Sequence, residues 1–254
     1  MAERLGQHFL NNPDTARRIA DLVSPQPGER ILEIGPGRGA LTEFITGRGA
    51  SVTGIELDGE LCGFLEKRFG SELEVINGDF LDSDLCCLKP DKICGNIPYQ
   101  ITGAVLEKIS SSAWLWSKAV LMIPSAVALR AAAPPGTACR SAVSVLCRVS
   151  GRCRVEFKVP PAEFDPPPKI ESALITIERT APPVSAELRN LVRDIFKNRR
   201  KKIKNALSRS VSVSATDAEA LLLDADIDPG LRPQDLTCRQ YKNLAEIIVK
   251  RGLF

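Results

Sequence analysis

The chain has 254 residues, of which 44% are hydrophobic and 26% charged, with a formal net charge of +3; that is material for one large domain, or one large and one small, with an ordinary buried core. So small a net charge says nothing by itself about a nucleic-acid partner, which would have to be met by local clustering of cations. No apolar run approaches the ~20 residues of a membrane span, and the opening MAERLGQHFLNNPD has no signal-peptide core, so a cytoplasmic protein with no membrane partner is expected.

Eight cysteines accompany a single histidine, His8, and none of them forms a C-x-x-C pair. Zinc spacing is therefore absent and no metal is expected. In a chain of this size without a secretion signal, reduced thiols are the expected state.

Taken in order, Gly6-Gln7-His8-Phe9-Leu10 precedes a helical pattern with Ile19, Leu22 and Val23 on one face, with Asn12 or Asp14 as its cap. A strand, Arg30 to Ile34, runs into Gly35-Pro36-Gly37-Arg38-Gly39-Ala40, and a helix is expected from Leu41 to Thr46. A second strand, Ser51 to Leu57, carries Glu56, and a helix follows from Gly59 to Phe69. A third strand, Leu73 to Asn77, leads to Gly78-Asp79-Phe80. The fourth is short, Ile93-Cys94, and enters Gly95-Asn96-Ile97-Pro98-Tyr99, after which Ile101 to Ile109 reads as helix. The fifth, Lys118 to Ile123, is stopped by Pro124.

Strands alternating with helices predict an α/β, Rossmann-like, mostly parallel sheet covered on both faces, with its chemistry at the carboxyl ends of the strands. Gly35, Glu56, Asp79 and Asn96 all fall at such ends. Two further β-rich segments are expected at Val143 to Val159 and Ser172 to Glu178, joined by a loop holding five prolines between positions 160 and 169. Such a loop is stiff and fixes Phe164. A break at Thr180-Ala181-Pro182-Pro183 divides a catalytic domain, 1–180, from a small all-α domain, 181–254.

Gly35-x-Gly37-x-x-Ala40 between a strand and a helix, with Glu56 following 21 positions after Gly35, is a nucleotide-binding pattern. The glycines let the backbone approach a ligand, and the carboxylate suits ribose hydroxyls. The pattern alone fits a nicotinamide cofactor or S-adenosylmethionine. Pro36 removes a backbone donor, a poor choice for a pyrophosphate, and S-adenosylmethionine has none. Asp79 fits a carboxylate bonded to the adenine amino group. Taken singly, each acid reads equally as a cap or a solvated carboxylate.

Gly6 to Leu10, Glu33-Ile34-Gly35-Pro36-Gly37, Ile55-Glu56-Leu57-Asp58, Gly95 to Tyr99 and Phe164-x-Pro166-x-Pro168-Lys169 together resemble the ribosomal RNA adenine dimethyltransferases, in the same order. Gly35-Pro36-Gly37 and Phe196 to Leu207 resemble the KsgA-type branch, which acts on small-subunit RNA, more than the Erm-type branch, which acts on large-subunit RNA. The resemblance implies an S-adenosylmethionine-dependent methyltransferase sheet. It implies dimethylation of two adjacent adenosines in a hairpin near the 3′ end of small-subunit ribosomal RNA, with the immature small subunit as partner and a monomeric enzyme. It places His8, Leu10, Gly35, Glu56, Asp79 and Asn96 at the cofactor. One segment departs: Ile123-Pro124-Ser125 stands where the family carries a Gln-Lys-Glu-type sequence, and Arg140 where it carries a Tyr. That leaves open how RNA docks beside the site, and leaves a non-catalytic RNA-binding assembly factor as an alternative.

The exocyclic amine of adenine is a poor nucleophile, so alignment and hydrogen-bond acceptors are the main requirement. The Asn96 side-chain oxygen and a carbonyl near Pro98 are the expected acceptors, with Tyr99 stacking on the base and Phe164 packing beside it; Phe164 reads alternatively as core. From Arg193 to Arg209 there are eight basic residues and one acid. Read as one helix, it carries Val192, Phe196, Ile203 and Leu207 on a packing face and Lys197, Lys201 and Lys204 on another. Together with Arg200 these are the expected RNA phosphate contacts; a solvated helix face is the plain alternative.

Overall fold

The computed structural model describes residues 7–112 and 115–253; Gly6 of the first motif lies outside them. Seven strands form one sheet in the order β4-β3-β2-β5-β6-β9-β7. These are β2 (Arg30–Ile34), β3 (Ser51–Glu56), β4 (Leu73–Asn77), β5 (Lys92–Asn96), β6 (Lys118–Pro124), β7 (Gly151–Val159) and β9 (Ser172–Arg179). The pairs from β4 through to β6 are parallel, and β9 runs antiparallel to both β6 and β7. A two-residue strand β1 (Phe9–Leu10) pairs apart from this sheet with β8 (Phe164–Asp165).

The alternation of side chains along the strands divides the core around the sheet in two. Ala119, Leu121 and Ile123 of β6 face one cluster, while Val120 and Met122 face the other; neighbouring residues of a strand point to opposite faces. The second face is closed by α1 (Pro13–Val23), whose Ala16, Ile19, Ala20 and Val23 are buried. Asn12 caps this helix, its side chain accepting from the Asp14 and Thr15 amides, with Pro13 in the first turn, where a missing N–H does no harm. The remaining helices of this part are α2 (Thr42–Thr46), α3 (Gly59–Phe69), α4 (Leu85–Leu88), α5 (Thr102–Ser111), α6 (Ser125–Ala131) and α7 (Ala142–Ser150).

Helix α7 corrects the expectation of strand from Val143. Its valines are β-branched, but Val145, Leu146 and Val149 pack into a third cluster made by the C-terminal helices, and Ser141 and Ser144 form a capping box. Tertiary burial at helical spacing overrides local β preference. The helix stops at Gly151, where a Cβ would lie 2.1 Å from the Glu178 carbonyl oxygen of β9.

The C-terminal helices are α8 (Ala186–Lys197), α9 (Ile203–Ser210), α10 (Ala215–Asp224) and α11 (Cys238–Lys250). The basic segment is therefore two helices rather than one. Helix α8 ends at Asn198, and four successive cations, Arg199 to Lys202, form the corner before α9. A continuous helix would stack these charges a turn from Arg193 and Lys197 on one side and Lys204 on the other, and like charges at that spacing repel. The Ile203 amide instead donates to the Leu231 carbonyl at 2.7 Å, which fixes the new helix start.

Candidate active site

The chain leaves β2 toward β3 on one side and returns to β5 on the other, so the crevice beyond the carboxyl ends of β2 and β5 is the place where an open α/β sheet binds ligands. Ile34 pairs with Gly95 across these strands. A Cβ on Gly95 would sit 2.3 Å from the Ile34 carbonyl oxygen, so the approach of the strands requires glycine there. The cleft that opens at this point is walled by Gly35, Gly37, Glu56, Asn96, Pro98 and Tyr99 together with His8 and Leu10 of the N-terminal segment.

Gly35 and Gly37 both adopt left-handed conformations, with φ of 63° and 59°, which glycine enters without a Cβ penalty. The turn aims the Gly37 amide at the Glu56 carboxylate, 3.0 Å away; the other Glu56 oxygen accepts from the Asp58 amide at 3.1 Å. Glu56 is buried yet lines the cleft. Two oxygens carry roughly four acceptor positions, so two backbone bonds fix the group and leave capacity for a pair of hydroxyls. Such a site fits the adenosine end of S-adenosylmethionine. The glycine loop, short of the Pro36 donor, is poorly furnished for a pyrophosphate.

A second carboxylate in the cleft wall is Glu33, to which the sequence assigns no role beyond its place in the Glu33–Gly37 motif. It is fully buried, and desolvation pushes its pKa up from 4.5 to about 7, against the lowering effect of the Thr42 hydroxyl that donates to it at 2.7 Å. The available signal was an acid set among Ile31, Leu32 and Ile34 in the strand Arg30–Ile34.

Asn96 is held at its nitrogen. Its Nδ2 donates to the His8 carbonyl at 2.8 Å, and because a carbonyl only accepts, this bond settles which way the amide faces. No donor reaches the Asn96 Oδ1 among the described residues, so it is left as an acceptor. His8 is in turn fixed by its Nδ1, which donates to the Pro166 carbonyl at 2.7 Å. Its ring lies 5.8 Å from that of Tyr99. The half-buried Tyr99 is anchored through its hydroxyl to that of Ser172 at 2.8 Å. The N-terminal segment, the proline loop and the Asn96 motif thus form one connected structure.

Some expected residues stand differently. The Pro98 carbonyl accepts from the Thr102 hydroxyl and the Ile101 amide, both at 3.2 Å, so its lone pairs are taken. The neighbouring Ile97 carbonyl receives no donor among the described residues. The Ile97 amide donates to Met122, which puts the nitrogen of Pro124, without a hydrogen, opposite that carbonyl in a parallel ladder. Phe164 is 3% exposed, sits opposite Leu10 in the β1–β8 pair and belongs to the core cluster under α1. It supports the strap over the cleft and offers no stacking face. Asp79 is not among the cleft-wall residues; its Oδ1 accepts from the Leu81 amide at 2.8 Å.

Of the expected phosphate contacts, Arg200 and Lys201 are exposed at the corner, with no ion-pair partner among the described residues. Lys197 bonds Asp194 at 2.5 Å and Lys204 bonds Glu219 at 3.0 Å. Arg140 is no surface residue: its buried guanidinium donates to the Gln234 and Leu236 carbonyls, tying the departing segment to the C-terminal helices.

Residues 1–250 match the family described as Ribosomal RNA adenine dimethylase. The chain is 35% identical over 256 residues to the ribosomal RNA small subunit methyltransferase A of Thermosynechococcus vestitus, with 97% of this chain and 96% of that protein covered. The fold is similar to a crystal structure of a dimethyladenosine transferase from Plasmodium falciparum, with a TM-score of 0.83, 24% identity, and 96% and 98% of the two chains covered. It is also similar to the 23S rRNA methyltransferase ErmE, with a TM-score of 0.69, 26% identity, and 95% and 99% covered. The matched span takes in the glycine loop, the strand-end acids, the Asn96 motif and the basic corner, and the chain belongs to the ribosomal RNA adenine dimethylase family.

Proposed function

We propose that the protein transfers methyl groups from S-adenosylmethionine to the N6 amines of adenosines in small-subunit ribosomal RNA, as part of small-subunit assembly. The two adjacent adenosines of a hairpin near the 3′ end are the substrate this reading favours, and the protein works as a cytoplasmic monomer. The observation that carries the reading is the Asn96 amide, turned by the His8 carbonyl so that its oxygen is free at a strand end beside the glycine loop.

S-adenosylmethionine supplies a methyl group on a sulfonium that is already electrophilic. Glu56 and the turn at Gly35–Gly37 would hold its ribose, with His8, Leu10 and Asn96 near the remainder and Asp79 toward the adenine amino group. The Asn96 oxygen and the Ile97 carbonyl accept hydrogen bonds from the target amine, drawing its lone pair out of the ring. As positive charge grows on that nitrogen these acceptors bind it more strongly, which lowers the barrier. Tyr99, with its phenol raised by burial above the ordinary value, stays neutral and stacks on the base. A paired base cannot reach such a cleft, so the substrate adenosine is unpaired or flipped out. The basic corner, in a C-terminal domain taken as 181–254, grips phosphates through Arg200 and Lys201, with Lys197 and Lys204 beside them, and sets orientation rather than sequence choice.

Asn96→Ala tests the assignment. Turnover should fall at least about 100-fold, while calorimetry still detects cofactor binding; turnover near that of the unaltered enzyme would remove Asn96 from the centre.

A further inference from the structure

Lys108 lies two turns into α5, the helix that starts directly after the Asn96–Tyr99 motif. Its side chain leaves its own helix and enters the loop that follows β4. The ammonium donates to the Leu81 carbonyl at 2.8 Å and to the Ser83 carbonyl at 2.5 Å, and lies 5.1 Å from the centroid of the Phe80 ring. Phe80 is buried in the same core cluster as Val105, Leu106 and Ile109 of that helix. Around this cation the loop folds on itself: the Asp79 carboxylate accepts from the Leu81 amide, the Asp82 amide donates to the Asp79 carbonyl, and the Ser83 hydroxyl donates to the Phe80 carbonyl. The charges of Asp82, Asp79 and Asp84 all act on the ammonium. No other cation bonds this loop among the described residues.

We propose that Lys108 is a positioning residue for cofactor specificity, clamping the 79–83 loop so that Asp79 presents its free carboxylate oxygen to the adenine amino group. The inference rests on the adenine role given to Asp79 above. Carbonyls at Leu81 and Ser83 that lost their ammonium would turn toward water, and the Asp79 carboxylate would turn with them. Since α5 grows out of the Asn96 motif, the same helix fixes both the reacting end and the adenine end of the cofactor.

The test uses the full-length protein and two ligands, S-adenosylhomocysteine and its hypoxanthine counterpart S-inosylhomocysteine, whose carbonyl replaces the amino group. Calorimetry on the unaltered protein should give a preference for the adenine form of about tenfold or more. Lys108→Met should reduce that preference at least about fivefold, chiefly by weakening the adenine ligand, and Lys108→Arg should restore most of it. Lys108→Gln serves should the methionine variant not fold. A folded Lys108→Met or Lys108→Gln protein that keeps the original preference, or loses both ligands in equal proportion, overturns the inference. Asp79→Asn separates the two layers. If it abolishes the preference while the Lys108 variants do not, only the role of Lys108 falls. If Asp79→Asn leaves the preference intact, the reading of Asp79 fails and the role of Lys108 fails with it.

Discussion

Glu33, inside β2, and Glu56, at the end of the neighbouring β3, both line the cleft, yet their surroundings give them opposite characters. Glu56 receives two backbone N–H groups, whereas Glu33 is desolvated with one hydroxyl donor and feels the charge of Glu56, so its neutral form is favoured up to about pH 7. A carboxyl whose folded pKa exceeds its unfolded value contributes its full stability below the unfolded value, near 4.5, and loses it as pH rises through the folded one. Stability should therefore decline between pH 4.5 and about 7 by on the order of 3 kcal/mol from this group. Glu33→Gln should flatten that decline, as read from denaturant midpoints across the range. Glu56→Gln is expected to weaken cofactor binding about 10- to 100-fold, the cost of a lost charged hydrogen bond, and to lower the melting temperature as well, because its amide nitrogen cannot accept the second backbone N–H; unchanged affinity by calorimetry would count against its ribose role. Both acids are plain in the sequence, but only Glu56 announces itself, because a strand-end acid at that distance from a glycine loop is a recognisable pattern. The character of Glu33 depends on what covers its strand from both sides, which no local spacing reports.

The corner between α8 and α9 changes what the basic run is able to do. A single helix would have presented Lys197, Lys201 and Lys204 as one stripe; the break at Asn198 exposes Arg200 and Lys201 while Asp194 and Glu219 partly neutralise the other two. Replacing Arg200 and Lys201 together by alanine should lower RNA affinity and reduce the slope of log affinity against log salt by about 1 for each lost phosphate contact. The Lys197 and Lys204 pair should have a smaller effect on the same slope. Partnership of this kind is invisible in sequence, since Glu219 approaches Lys204 only after α10 folds back. The helix at Ala142–Ser150 was hidden for a similar reason. Its valines favour strand locally, and the C-terminal helices that reward a helical arrangement lie some 40 positions further along. The parallel strands, by contrast, were legible because each is a short apolar run closed by a glycine, an acid or a proline.

Taken whole, the molecule brings its cofactor loop, its amide acceptor and its N-terminal strap to the single switch point of the sheet, and joins the two parts through α7, which contributes to the C-terminal core. That the glycine loop, Glu56 and the Asn96 motif meet at one crevice followed from their places at strand ends, whereas Asp79, past the outer strand β4, stands outside its wall. That His8 orients Asn96, and that Phe164 braces the strap rather than the base, followed only from the pairing of β1 with β8 across more than 150 residues. Similarity to a small-subunit methyltransferase in sequence and to a 23S enzyme in fold makes the RNA target the central claim. The direct measurement is transfer of labelled methyl groups to separately purified small- and large-subunit particles lacking the modification, followed by mapping of the modified nucleotides. N6-dimethyladenosine is expected at two adjacent positions near the 3′ end of the small-subunit RNA and none in the large-subunit RNA. Label confined to large-subunit RNA, or no transfer to either particle by a folded enzyme, would contradict that claim.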